Sequence, residues 1–132
     1  GRNTFIFIDE IYLLFQHEYS ANFLFTLWKR VRKYGAYATG ITQNVDDLLQ
    51  SHTARTMLAN SEFLIMLNQA STDRIELAKL LNISDLQLSY ITNVDAGHGL
   101  IKVGSSLVPF ANKFPKNTKL YKLMTTKPGE GV

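Results

Sequence analysis

Phe5-Ile6-Phe7-Ile8-Asp9-Glu10 is the stretch on which the reading of this chain turns. Four apolar residues, aromatic and β-branched, run without a polar interruption and stop at two adjacent carboxylates. An unbroken apolar run of this length suits a strand covered on both faces, as in a parallel sheet; periodicity alone leaves a buried helical segment open. Acids at the carboxyl end of such a strand lie where open α/β sheets take their ligands. Asp9 can hold Mg²⁺ there, directly or through water, while Glu10 orients or deprotonates an attacking water. The hexapeptide is equally compatible with a strand that ends in two solvated acids at a turn.

The chain downstream supplies the partners of that strand. Ile11 to Phe15 is too apolar for a free loop and predicts a helical turn packed over the sheet edge, followed by a polar break at Gln16-His17-Glu18. Phe23, Leu24, Leu27, Trp28 and Val31 share one helical face, with Ser20 or Asn22 as the start and Gly35 as the stop. Ala36 to Thr42 reads as a second strand, in which Ala38 and Gly40 on one face leave room for a helix to approach closely, and it ends at Gln43-Asn44. Asn44 with Asp46 and Asp47 opens a short helix, and another runs from Thr53 to Asn60. Phe63 to Leu67 is a third unbroken apolar strand. Ser71 and Asp73 open a helix that closes near Asn82, and Ser84 with Gln87 forms a capping box for one more. Leu100 to Val103 and Leu107 to Phe110, joined through Gly104-Ser105-Ser106, predict a hairpin with Pro109 on an edge strand.

Strands alternating with helices predict an α/β fold with a mainly parallel sheet, flanking helices and a C-terminal β-hairpin. The 132 residues suit one domain. Residues 111–132 form a lysine-rich tail. Fourteen basic and eleven acidic residues leave a net charge of +3, which does not demand a nucleic-acid partner. Zero cysteines exclude a disulfide scaffold and thiol-ligated metal, and His17, His52 and His98 share no ligand spacing. No apolar run approaches the ~20 residues that span a bilayer.

The chemistry gathers at two strand ends. If the first two strands are parallel neighbours, roughly 4.8 Å apart, Asp9-Glu10 and Gln43 converge on one rim. A glutamine donates and accepts at once, so Gln43 can touch a terminal phosphate and the attacking water together, or it can simply end a strand. Gly97-His98-Gly99 reads as the entry to the hairpin, because no helix follows to supply an amide-rich N-terminus.

These residues match a family pattern. Phe5 to Glu10 resembles the Walker B strand of P-loop ATPases, and Arg32-Lys33-Tyr34-Gly35 through Thr42-Gln43-Asn44 to Leu48 resembles the helix, strand and TQ motif of the HerA–FtsK superfamily. Ala59-Asn60-Ser61, Asn68-Gln69-Ala70, Gly97-His98-Gly99-Leu100-Ile101 and Val108-Pro109-Phe110, in that order, resemble the conjugation ATPases of type IV secretion systems, in the TrsE/TraE-like group. The resemblance spans roughly residues 4 to 126 and implies the C-terminal half of a RecA-like P-loop motor domain. It implies ATP and Mg²⁺ as cofactors, Asp9 as the metal-site acid, Glu10 and Gln43 as catalytic residues, and Arg32, Lys33, Arg55 and Arg74 as candidates for contacts to phosphate or to a neighbouring subunit's nucleotide. It further implies a hexamer of this protein, a coupling protein and channel components as partners, and a cytoplasmic location at the inner face of the bacterial membrane.

The phosphate-cradling G-x-x-x-x-G-K-[ST] is absent from the 132 residues. The start, running directly into a buried-type strand, looks like a cut in a longer protein, and the isolated chain is expected to be inactive. In the related folds a P-loop strand lies between the strands ending at Gln43 and Leu67, so these two are expected either to pair directly or to leave open apolar edges that recruit other chains. Two other readings stand beside the motor: a non-catalytic docking or oligomerisation module of the secretion machinery, and a HerA- or FtsK-like DNA translocase that touches DNA through Lys113, Lys116, Lys119, Lys122 and Lys127.

Overall fold

The computed structural model describes residues 2–69 and 71–131. Strand β1 (Thr4–Ile8) leads through a 3₁₀ turn (Ile11–Phe15) into helix α1 (Glu18–Arg30), and a second 3₁₀ turn (Val31–Tyr34) delivers the chain to β2 (Ala36–Gly40). Helices α2 (Val45–Gln50) and α3 (His52–Ala59) precede β3 (Phe63–Met66). Then come α4 (Ser71–Leu81), α5 (Asp85–Leu88), a 3₁₀ turn (Ser89–Ile91), the strands β4 (His98–Val103) and β5 (Ser106–Ala111), and α6 (Lys119–Met124).

Several local signals act as their chemistry requires. Gly35 stops the first helical segment at φ 65°, a conformation that costs glycine nothing. Asn44 caps α2 by accepting from the Asp47 N–H, Ser51 caps α3, and Ser84 with Gln87 closes a reciprocal capping box. Helix α1 begins at Glu18, earlier than Ser20 or Asn22, because Ser20 spends its hydroxyl on the carbonyls of Leu14 and His17 and sits within the first turn. At α4 the helix begins at Ser71, whose side chain lies outside the described residues, as does Ala70 of the Asn68-Gln69-Ala70 motif.

The sheet differs from the expectation of a mainly parallel array. β1 and β2 form a parallel pair in the register Ile8↔Gly40, whereas β3, β4 and β5 form a separate antiparallel sheet in that order. β3 finds its partner in the hairpin, and β2 and β3 do not pair: of the two outcomes set out above, open edges is the one observed. β5 lies on an edge with Pro109, whose missing N–H is harmless there.

Two cores correspond to the two sheets. Ile11, Leu24, Leu48, Ala54 and Met57 pack beneath the parallel pair, joined by Ile8 and Trp28. Leu49, Met66, Leu77, Leu81, Ile83, Ile91 and Leu100 pack against the antiparallel sheet. Leu48 and Leu49, neighbours in α2, go to different cores, and Leu58 of α3 touches both.

Neither apolar strand is covered on both faces. Phe5 and Phe7 are 64% and 68% exposed while Ile6 and Ile8 turn inward; in β3, Phe63 and Ile65 are 66% and 68% exposed while Met66 is buried. The chain has helices for one face of each sheet, and the second apolar face of each strand remains open. Phe5 stacks on Tyr37, its register partner in β2, with ring centroids 5.2 Å apart, so the open face of the pair is itself aromatic.

Candidate active site at the carboxyl rim of the parallel pair

The parallel pairing carries Asp9-Glu10 and Gln43 to the same rim. Ile41 holds the acid segment in place. The Ile41 N–H donates to the Ile8 carbonyl at 2.9 Å, and the Ile11 N–H donates to the Ile41 carbonyl at 3.0 Å. The chain between Ile8 and Ile11 is therefore pinned at both ends to Ile41, and Asp9 and Glu10 form a two-residue excursion from the strand. Glu10 takes a left-handed conformation, φ 49° and ψ 42°, which is uncommon for a side-chain-bearing residue and characteristic of constrained functional positions. Its N–H donates to Asp9 Oδ1 at 2.9 Å, and its carbonyl accepts from the Leu13 N–H at 3.1 Å as the 3₁₀ turn begins.

Below the excursion, Ile11 is 6% exposed and lies against Gly40. A Cβ at position 40 would fall 2.6 Å from Ile11 Cδ1 and 3.3 Å from Cγ2. The small residue read from the sequence thus leaves room not for a long helix but for the one isoleucine that follows the acids. Gln43 is exposed two residues beyond Ile41, and Asn44, its neighbour, caps α2. Asp9 is exposed and Glu10 half-buried.

The basic candidates are dispersed. Arg32 and Lys33 are exposed in the 3₁₀ turn that precedes β2, at its amino end, so the length of the strand, roughly 16 Å, separates them from the acid rim. Arg55 in α3 is half-buried, lies 3.9 Å from Glu76 of α4, and donates to the Leu49 carbonyl at 3.5 Å, bracing the helices to one another. Arg74 is half-buried in the first part of α4. The tail lysines do not form a uniform basic arm: Lys116 Nζ is 3.0 Å from Glu130 Oε1, Tyr121 donates its hydroxyl to Glu130 Oε2, and Lys113 lies 3.9 Å from Asp95. These contacts hold the Glu130 carboxyl below its ordinary range, first through the Tyr121 hydrogen bond and then through Lys116, and they raise Lys116 above its ordinary value.

Mg²⁺ accepts one or two protein carboxylates and completes its shell with waters and substrate phosphates. Asp9, exposed and with only one oxygen engaged by the chain, fits such a partial donor set. Among the described residues no group of three or more His, Asp or Glu could hold a metal by itself. A depression of about 420 Å³ near the start of α1 is lined by Phe15, Gln16, Glu18, Asp47, His52 and neighbours, and Asp9, Glu10 and Gln43 are not among its lining residues.

A sequence profile for the TraG P-loop domain matches residues 1–102. The chain belongs to the TraG P-loop domain family. Among solved structures, that of VirB4 of Thermoanaerobacter pseudethanolicus superposes with a TM-score of 0.79 at 26% identity, over 87% of this chain. The chain spans 32%, about a third, of the length of that VirB4 chain. No curated protein sequence matches. Family membership bears out the resemblance drawn from the ordered motifs, and the α/β fold agrees with VirB4 over most of the chain. Among the described residues no helix is long and apolar enough to cross a membrane.

The sequence singled out Asp9, Glu10 and Gln43 but not the residues that position them. Ile41 and Gly40 looked like the end of a small-residue strand. The one available signal was the glycine itself, placed where β2 stops and the 3₁₀ turn crosses over it.

Proposed function

We propose that this chain supplies the acid pair and the water-orienting glutamine of an ATP-hydrolysing motor that energises DNA and protein transfer through a type IV secretion system. Glu10 orients the attacking water and receives its proton, and Gln43 contacts the terminal phosphate and the same water. Asp9 holds Mg²⁺, which when bound neutralises phosphate charge during transfer. The phosphates also need a cradle of backbone amides with a lysine, and in this reading a P-loop elsewhere in the protein supplies it. Arg32 and Lys33, on the far rim, then serve a nucleotide in a neighbouring subunit of a hexamer at the inner face of the membrane, where coupling and channel proteins are the partners.

The observation that carries the reading is the parallel pairing of β1 and β2, which brings the acids to the rim from which the chain continues to Gln43, with Ile41 bonded to Ile8 and Ile11 on either side of the acids. The family and the VirB4 likeness support it. The test is ATP turnover by the full-length protein carrying Glu10→Gln. A fall on the order of 10²- to 10⁴-fold, with an unchanged melting temperature, is expected for loss of a general base. Wild-type turnover would refute the role of Glu10.

A further inference from the structure

We infer that Gly40 is a positioning residue for Glu10, acting through Ile11. The inference rests on the reading of Glu10 as the group that activates water, and it names what holds Glu10 in place. Four observations carry it. Glu10 stands in a left-handed conformation that its own side chain does not favour. The residues on either side of the excursion, Ile8 and Ile11, are both bonded to Ile41. Ile11 is buried, in a cluster with Leu24 and Leu48. Its side chain occupies the space that any residue other than glycine would need at position 40.

The geometry gives the direction of the effect. An alanine Cβ at position 40 meets Ile11 Cδ1 at 2.6 Å, and Ile11, 6% exposed and packed with Leu24 and Leu48, has little room to swing that methyl aside. The contact with Cγ2, at 3.3 Å, needs a shift of only a few tenths of an ångström. Ile11 must therefore lift away from β2. Because its N–H is tied to Ile41 and Glu10 precedes it directly, the lift is delivered to the backbone that aims the carboxylate. Glu10 adjoins the displaced residue whereas Asp9 adjoins Ile8 on the strand side, so the larger effect is expected in the chemical step.

The experiment uses the full-length protein and measures kcat, the KM for ATP and the melting temperature for Gly40→Ala, Ile11→Val and the double variant. Displacement by a few tenths of an ångström of a group that must be aligned with its reactant predicts that Gly40→Ala lowers kcat on the order of tenfold with KM unchanged. Ile11→Val alone, a truncation that folds tolerate, lowers kcat about threefold by loosening the same support. In the double variant the missing Cδ1 makes room for the new Cβ, and kcat returns to within about threefold of wild type. Wild-type kcat in Gly40→Ala overturns the inference, as does a loss that Ile11→Val fails to rescue, or a loss that appears in KM. Should Gly40→Ala not fold, Ile11→Val decides: unchanged kcat overturns the proposal. Glu10→Gln in the same assay separates the two levels. If it retains turnover, the role of Glu10 falls; if it loses turnover while Gly40→Ala does not, only the positioning falls.

Discussion

The parallel pair and the antiparallel sheet are built from similar unbroken apolar strands, yet they do different things. In the antiparallel half β3 takes the β4–β5 hairpin as its partner, and Leu100 of β4 and Ile91 are fully buried on its covered face. The parallel half is only two strands wide, and its carboxyl rim carries two exposed or half-exposed polar groups and a left-handed glutamate. In the proposed reading the chemistry sits on the narrower of the two sheets. Strained, solvent-facing groups belong where packing is thinner, provided that a well-packed neighbour supports them.

The largest expected effect tests that division directly. Leu100→Ala should cost about 2–5 kcal/mol, read by chemical denaturation, because it opens a cavity at a fully buried site. Phe5→Ala, on the open face of the parallel pair, should cost about 1 kcal/mol or less, most of it the lost stack on Tyr37. Equal costs would break the comparison. Gly99→Ala is next. A Cβ there runs into the Met66 carbonyl, which is backbone of the paired strand, and into the Phe110 ring. About 1–3 kcal/mol of destabilisation is expected from such overpacking, without loss of the β1–β2 register in amide NMR.

A smaller effect concerns association. Phe7 and Ile65 present apolar side chains on the open faces of both sheets, and exposed apolar surface of that kind draws other chains. Light scattering should show the chain associating with rising concentration, and Phe7→Ser with Ile65→Ser should suppress it. A monomer at all concentrations in the unsubstituted chain would defeat the expectation.

The smallest effect lies in the tail. Glu130 has a folded-state pKa below its ordinary 4.5, so its contribution is present above the unfolded value and is lost as pH falls through the folded one. Lys116, raised above 10.5, contributes below the unfolded value and loses its contribution as pH rises through the folded one. The Lys116–Glu130–Tyr121 contacts should therefore persist through neutral pH and open in acid below the ordinary carboxylate range. The Tyr121 ring resonances should report the change while the cores stay intact.

Much of this architecture was legible in local chemistry. Gly35, Asn44 and the Ser84–Gln87 box each satisfy backbone groups within three or four residues, so their sequence signals are complete in themselves. Asp9, Glu10 and Gln43 were legible because strand ends are marked by a sharp change from apolar to polar. The division into two sheets was not. β3 pairs with β4 across more than thirty intervening residues, and nothing in Phe63 to Leu67 specifies whether its neighbour runs parallel or antiparallel. The unbroken apolar strands signalled two faces in need of cover, but composition does not say what provides it. The left-handed backbone of Glu10 was hidden for the opposite reason: it opposes local preference, and the paired bonds to Ile41 that accompany it come from another strand.

Leu48 and Leu49 have a mechanical consequence. Two consecutive residues of one short helix are seated in two different cores, and that helix is capped by Asn44, one residue after Gln43. A helix seated this way ties the two sheets together, so a shift of the three-stranded sheet against the parallel pair is expected to move α2 and, with it, the chain at Gln43.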